Sequence, residues 1–203
     1  MYACRGGAGS DTIGSTSSDL SKMDRVEIKE QQKISVDSVI KKIEYVKLGN
    51  TGDVLIGQVS HLLFTPDHIV VGDADKAQAV FVFDRQGNTQ TVINRLGRGP
   101  QEYQHIDDVF LTPDKKEIGI VDNAVYKLLY FDMEGNFVRS QSLPFYCNDV
   151  EWIGENTMIL STTGRAGQSP ALESYSNKED LLFFTDTTLQ NIHGSAFVNP
   201  FDV

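Results

Sequence analysis

An internal repeat of 47 or 48 residues constrains the fold of this chain more than any other feature. The segment 62–67 recurs at 109–114 with an offset of 47, and the segment 80–88 recurs at 128–136 with an offset of 48. The two pairs occur in the same order along the chain, which argues against coincidence. A fixed period of a few tens of residues is typical of folds that stack copies of one supersecondary unit.

Each copy contains four short runs rich in β-branched and aromatic residues, separated by turn residues. We therefore predict an all-β protein of β-propeller blades, each with four antiparallel strands. The two clear copies and a looser third copy give blades at approximately 58–103, 104–146 and 147–200. Closed propellers have about four to eight blades, so we expect a partial propeller from a longer protein. The alternating segment 40–48 predicts one more strand.

The turns between the predicted strands have a physical basis. Pro66 and Pro113 preset the backbone of a tight turn between first and second strands. The segments 84–87 and 132–135 share the pattern Asp-x-x-Gly, in which the aspartate caps the turn and the glycine supplies a positive φ. They are predicted to join third to fourth strands.

Composition limits the partners of the chain. Its 28 acidic and 18 basic residues give a net charge of −10, and without a localised basic patch this charge disfavours nucleic acid and anionic membranes. No run approaches the roughly 18 apolar residues of a membrane span. Residues 1–24 are glycine- and serine-rich and predict a flexible tether, which leaves 25–203 as the partial propeller domain.

Three segments together carry a family resemblance. The linker at 95–103, followed by Val-Asp-Asn at 121–123 and the turn at 130–136, resembles the NHL-type repeat and, more closely, the bacterial six-bladed β-propeller lipoproteins. The resemblance covers roughly residues 40–160. It implies a six-bladed propeller, export to the cell envelope (outer membrane or periplasm) and a ligand or partner that is generally unassigned.

The N-terminus bears on export. The opening Met1-Tyr2-Ala3-Cys4 resembles the end of a bacterial lipoprotein signal, where small residues precede the cysteine that is lipidated, although the hydrophobic segment expected before it is missing. The resemblance implies that Cys4 is lipidated and that the chain meets the membrane only through this anchor. The alternative is an unmodified cysteine on a flexible tail.

In a propeller blade, the linker before the first strand and the loop between second and third strands lie at one end, where ligands usually dock. We therefore predict a ligand-binding loop face that includes an inserted polar loop at 163–175. Its candidate residues are Arg98, Glu102, Tyr103, Asp122, Asn123, Arg165 and Tyr175.

The first strands of the blades should line a central channel. Its predicted mouth carries five polar residues, namely His61, Asp107, Asp108, Asn148 and Asp149. Such groups suit a hard cation such as Ca²⁺ or a polar ligand. The alternative is a solvated channel rim without a ligand, which needs no cofactor.

No catalytic constellation is evident in the sequence, and Cys147 has the surroundings of a small buried apolar residue. The leading hypothesis is a noncatalytic envelope protein that binds a glycan, a peptide or a protein. The runner-up is a propeller hydrolase or lyase with a metal held by His61, Asp108 and Asp149 at the channel mouth. A third hypothesis is a structural module whose blades mediate assembly.

Overall fold

The structure is a computed structural model, and it describes residues 35–163 and 180–197. The chain divides into two compact units, Met1–Glu44 and Tyr45–Val203. The described residues of the first unit contain the short helix α1 (Val36–Val39). Within the described residues, no helix has the length and apolar character that crossing a membrane requires.

The second unit contains twelve strands in its described residues. They are β1 (His61–Phe64), β2 (His68–Asp73), β3 (Ala79–Asp84), β4 (Thr89–Ile93), β5 (Asp108–Leu111), β6 (Glu117–Asp122), β7 (Lys127–Asp132), β8 (Phe137–Ser142), β9 (Asp149–Ile153), β10 (Thr157–Thr163), β11 (Asp180–Thr185) and β12 (His193–Phe197). They form three sheets with the orders β1-β2-β3-β4, β5-β6-β7-β8 and β9-β10-β11-β12, and all neighbours are antiparallel. The all-β prediction of four-stranded antiparallel units is confirmed.

The Asp-x-x-Gly turns have the predicted geometry. Oδ1 of Asp84 accepts hydrogen bonds from the backbone N–H of Gln86 at 2.9 Å and of Asn88 at 2.8 Å, and Gly87 has a φ of 88°. The same arrangement recurs at Asp132, where Gly135 has a φ of 82°. These turns fix the register between third and fourth strands in the first two sheets.

These hydrogen bonds also change the acidity of the turn aspartates. The side-chain hydrogen bond from Asn88 is the main cause that lowers the pKa of Asp84. At Asp132, burial alone would raise the pKa, but the hydrogen bonds from Asn136, Glu134 and Gly135 together outweigh it and the pKa is lowered. Both carboxylates therefore bind protons more weakly in the folded chain than in the unfolded one.

We expect the free energy of unfolding to fall more steeply below pH 5 than between pH 7 and 5. The stability that these aspartates add is fully present above their usual pKa near 3.8. It is lost as the pH falls through the lowered folded-state values. Urea unfolding followed by circular dichroism measures this, and Asp132→Asn should show a smaller loss than the wild type. Unchanged wild-type stability down to pH 3 would contradict the expectation.

The core lies between the sheets. We call the face that each sheet turns towards the preceding part of the chain its leading face, and the opposite face its trailing face. The trailing face of the first sheet packs on the leading face of the second through Val70, Val80, Val82, Ile93, Ile118, Ile120, Leu129 and Phe131. The second sheet packs on the third in the same way through Val121, Leu128, Tyr130, Val150, Met158, Leu160 and Phe183. The sheets therefore stack in sequence order.

The predicted strand at 40–48 is wrong, because residues 40–50 have no regular secondary structure. The alternating pattern is present, and Ile43 and Tyr45 are exposed. A strand needs a paired neighbour along its length, whereas the described hydrogen bonds from residues 40–50 to the first sheet lie at one end of the segment. Gly49 N–H donates to the Gly87 carbonyl at 2.7 Å, and the Thr89 hydroxyl donates to the Asn50 carbonyl at 2.8 Å. Further along, Leu48, Val54 and Ile56 pack against the leading face of the first sheet.

Candidate ligand-binding site

Two buried aspartates hold the linkers against the sheets. Oδ2 of Asp73, at the end of β2, accepts hydrogen bonds from the N–H of Gly57 at 2.7 Å and of Gln58 at 2.9 Å. Oδ2 of Asp122, at the end of β6, accepts one from the N–H of Gln104 at 2.7 Å. The linker and the second-to-third-strand loop therefore lie at the same end of the first sheet and of the second sheet, as predicted from the sequence.

The two aspartates are fully committed to backbone groups. Oδ1 of Asp73 also accepts from Lys76 N–H at 2.8 Å, and Oδ1 of Asp122 accepts from Ala124 N–H at 3.0 Å. Burial alone would raise the pKa of Asp73, but these backbone donors outweigh it and the pKa is lowered. Because both side chains are fully buried, Asp122 supports the loop face from beneath.

The linker at 95–103 separates the three residues predicted there. Arg98 is exposed, and Oε2 of Glu102 accepts a hydrogen bond from Gly99 N–H at 2.7 Å, which closes the turn. Tyr103 is completely buried. Its hydroxyl lies 2.8 Å from the Gln78 carbonyl and 3.0 Å from the Ile93 carbonyl, and accepts from Arg95 N–H at 3.2 Å. Burial raises the pKa of Tyr103 to about 12.

Asn123 joins the second sheet to the third. Its side-chain amide donates to the Cys147 carbonyl at 2.7 Å and accepts from the Cys147 N–H at 2.9 Å. Asp107 supports this pair, because its Oδ2 accepts from Asn123 N–H at 2.8 Å. Burial, followed by the charges of Asp108 and Asp149, raises the pKa of the Cys147 thiol. The prediction that Cys147 is a small buried residue is confirmed.

Asp108 connects the first strands of all three sheets. Its Oδ1 lies 3.0 Å from His61 Nε2 at the start of β1 and accepts from Val109 N–H at 2.7 Å. Its Oδ2 accepts from Val150 N–H in β9 at 2.9 Å. The predicted convergence of His61 and Asp108 is therefore present, and both oxygens of Asp108 are engaged.

The other two channel-mouth candidates lie at the start of β9. Oδ2 of Asp149 accepts from the Ser161 hydroxyl at 2.9 Å, and Asp149 is exposed. Asn148 is half-buried, and its N–H donates to the Ser161 carbonyl at 2.7 Å.

A recess of about 460 Å³ runs along these first strands. Its lining is Ser60, His61, Leu63, Asp108, Val109, Phe110, Leu111, Asp149, Val150 and Glu151. The polar residues Ser60, His61, Asp108 and Asp149 stand at or just before the strand starts, whereas the apolar residues lie further along. The recess therefore combines a polar mouth with an apolar wall, as small-ligand sites usually do.

Sequence reasoning found the polar mouth but missed Glu151 and the apolar wall. The sequence of β9 could have indicated Glu151, because Glu151 is a charged residue between two apolar ones in this strand. Among residues 35–163 and 180–197, no group of three or more His, Cys, Asp or Glu side chains has an arrangement that could hold a metal. The Ca²⁺ site stays a prediction.

Some predicted residues lie outside the described part of the chain. They are Cys4 of the proposed anchor, and Arg165 and Tyr175 of the inserted loop at 163–175, of which only Thr163 is described. Their roles stay predictions.

Three stacked four-stranded sheets with a recess along their first strands define a β-propeller-like all-β protein. The chain belongs to the DUF4934 family, a domain of unknown function, which matches residues 21–200. No curated protein matches the sequence.

A solved structure supports the fold. A Bacteroides fragilis protein inferred to be exported is 21% identical, with a TM-score of 0.64 over 84% of this chain and 45% of that one. This chain therefore spans less than half the length of that protein. Weaker likenesses include a DUF4221 family member from Bacteroides vulgatus, 12% identical over 77% and 62% with a TM-score of 0.41. The WD40 repeats of RRP9 are 11% identical over 70% and 38%, with a TM-score of 0.45.

Proposed function

We propose that this chain supplies three blades of a six-bladed propeller and acts in the cell envelope as a noncatalytic binding module for a glycan, peptide or protein. The observation that carries the proposal is the recess along β1, β5 and β9, whose polar mouth stands at the loop end of the sheets. Ligand sites on propellers and other rigid scaffolds usually lie where loops converge.

The chemistry of the recess suits a ligand that donates hydrogen bonds. Asp149 and Glu151 are exposed acids, and Ser60 adds an exposed hydroxyl. Sugar hydroxyls and peptide ammonium or guanidinium groups donate to such oxygens. The apolar wall of Leu63 and Leu111, both half-buried, offers a surface for the less polar side of the same ligand.

The location proposed for this activity is extracytoplasmic. The Bacteroides fragilis protein of similar fold is inferred to be exported, and Cys4 has the surroundings of a lipidated cysteine. Lipid anchoring at Cys4 belongs to this proposal, and recovery of the protein in the membrane fraction of its cells checks it. The NHL-type lipoprotein assignment likewise rests on the sequence resemblance.

The test is a screen of the purified protein on a glycan array and a peptide library, followed by calorimetric titration of the strongest binder. We expect Asp149→Ala and Glu151→Ala each to weaken binding about tenfold, the equivalent of about 1.4 kcal/mol. Glu134→Ala is the matched control, because Glu134 is an exposed acid in the β7–β8 turn at the other end of the second sheet.

The control should change the affinity less than twofold. Equal affinities for all three variants would remove the recess as the binding site, and an absence of binding on both arrays would remove the proposed activity. A metal-dependent hydrolase or lyase has no comparable support, because both oxygens of Asp108 already accept hydrogen bonds from the protein.

A further inference from the structure

The charged groups that line the recess are acidic. They are the carboxylates of Asp108, Asp149 and Glu151, and among the described residues no lysine or arginine joins them. The imidazole of His61 lies with its Nε2 3.0 Å from Asp108. A cleft that combines charges of one sign with apolar walls concentrates the electric field and attracts groups of the opposite sign. The net charge of −10 of the whole chain acts in the same direction.

Two of these carboxylates keep oxygens that a ligand can use. Asp108 is already engaged by His61 and by backbone N–H groups. Asp149 uses its Oδ2, which accepts from the Ser161 hydroxyl at 2.9 Å. Within the part of the chain that the structure describes, no hydrogen bond or ion pair engages Oδ1 of Asp149 or the carboxylate of Glu151. Both side chains therefore remain available to a ligand that enters the recess.

The free carboxylates favour a ligand with a positive charge. A ligand that covers a carboxylate removes water from it, and this costs free energy unless a cation replaces the water. A sugar hydroxyl donates a neutral hydrogen bond, whereas an ammonium or guanidinium group donates one that is about twice as strong. No group of side chains that could hold a metal lies among the described residues, so an organic cation suits these acids better than a metal ion.

The spacing of the two acids indicates the form of this cation. Asp149 and Glu151 are two residues apart in β9, so they lie on one face of the strand, about 7 Å apart along it. An extended polypeptide places alternate side chains at the same spacing. Leu63 and Leu111 line the apolar wall. The methylene stems of lysine and arginine pack on such surfaces while their charged ends reach polar groups.

We propose that the recess binds an extended polypeptide segment with lysine or arginine at alternate positions, whose cationic groups pair with Asp149 and Glu151. The inference rests on the proposed function and narrows its ligand from a glycan, a peptide or a protein to a basic segment of polypeptide. Because the attraction acts between charges near solvent, salt should weaken it.

The test compares three short labelled peptides by fluorescence anisotropy, each acetylated and amidated so that only its side chains carry charge. The first has two lysines at alternate positions, the second has them adjacent, and the third has glutamate in place of both. We expect the first to bind about fivefold more tightly than the second, and the third not to bind. The affinity of the first should fall about tenfold between about 50 and 500 mM NaCl.

Asp149→Asn and Glu151→Gln test the charges separately from the shape, because each variant keeps an oxygen acceptor and loses the charge. Each should weaken binding of the alternating peptide about tenfold and reduce its dependence on salt. Glu134→Gln is the matched control, because it makes the same change at an exposed acid outside the recess. It should change the affinity less than about twofold. Circular dichroism checks that all three variants keep the fold.

Failure of this inference is distinguishable from failure of the proposed function. If the strongest binder on the arrays is a neutral glycan, or if the alternating and adjacent peptides bind equally, the recess still binds a ligand but the inference is overturned. Unchanged affinity in both Asp149→Asn and Glu151→Gln overturns it as well. If neither the arrays nor the peptides show binding, the proposed function falls together with the inference.

Discussion

Replacing Asp108 by alanine should lower the free energy of unfolding by about 3–5 kcal/mol, because each of the two buried backbone N–H groups that it leaves unpaired costs about 1–3 kcal/mol. The carboxylate is 6% exposed and binds His61 together with the backbone of Val109 and Val150. Its removal leaves buried N–H groups without acceptors and disconnects three first strands at one point. Urea unfolding measures the change.

Two further variants define the origin of this effect. Asp108→Asn keeps one oxygen acceptor and should cost less, about 1–2 kcal/mol. Asp67→Ala removes an exposed aspartate of the β1–β2 turn and should change stability by less than about 0.5 kcal/mol. If Asp108→Ala is no more destabilising than Asp67→Ala, Asp108 does not link the sheets in solution.

Replacing Tyr103 by alanine should have an effect of similar size, about 3–5 kcal/mol, because it empties a fully buried aromatic position between the first two sheets. Tyr103→Phe isolates the hydroxyl. It leaves the Gln78 and Ile93 carbonyls without this donor and should cost about 1–3 kcal/mol.

Tyr126→Phe is the control for the hydroxyl, since Tyr126 is 40% exposed and should tolerate the change. Thermal and urea unfolding of the three variants give the comparison. Tyr103 was predicted as a ligand-binding residue, so the variants also separate the two roles. Loss of ligand binding in a Tyr103→Phe protein of wild-type stability would favour the original prediction over the structural role.

The fold was predictable because its determinants are local. Strand alternation and the Asp-x-x-Gly turns act over a few residues, so a repeated sequence gives a repeated four-stranded unit. The prediction of a strand at 40–48 was wrong because a strand depends on more than its local sequence. Its pattern is local, but a strand also requires a neighbour whose presence no local pattern reveals.

The candidate site was only partly predictable, because hydrogen bonds between distant residues decide which polar side chains reach solvent. Tyr103, Asp122 and Asn123 stand in loop sequence and look available for a ligand. Each instead binds backbone groups 18 to 25 residues away in at least one contact. The polar mouth was found because the repeat aligned His61 with Asp108.

The aspartates that end β2 and β6 have a consequence for how such chains arise. Each one fastens the linker of its own unit, since Asp73 binds the backbone of Gln58 and Asp122 that of Gln104. A unit duplicated in the gene together with its linker thus brings the carboxylate that holds that linker, although Tyr103 of the linker still hydrogen-bonds the carbonyls of Gln78 and Ile93 in the unit before it. The number of units can then change during evolution while each unit keeps the hydrogen bonds between its aspartate and its own linker.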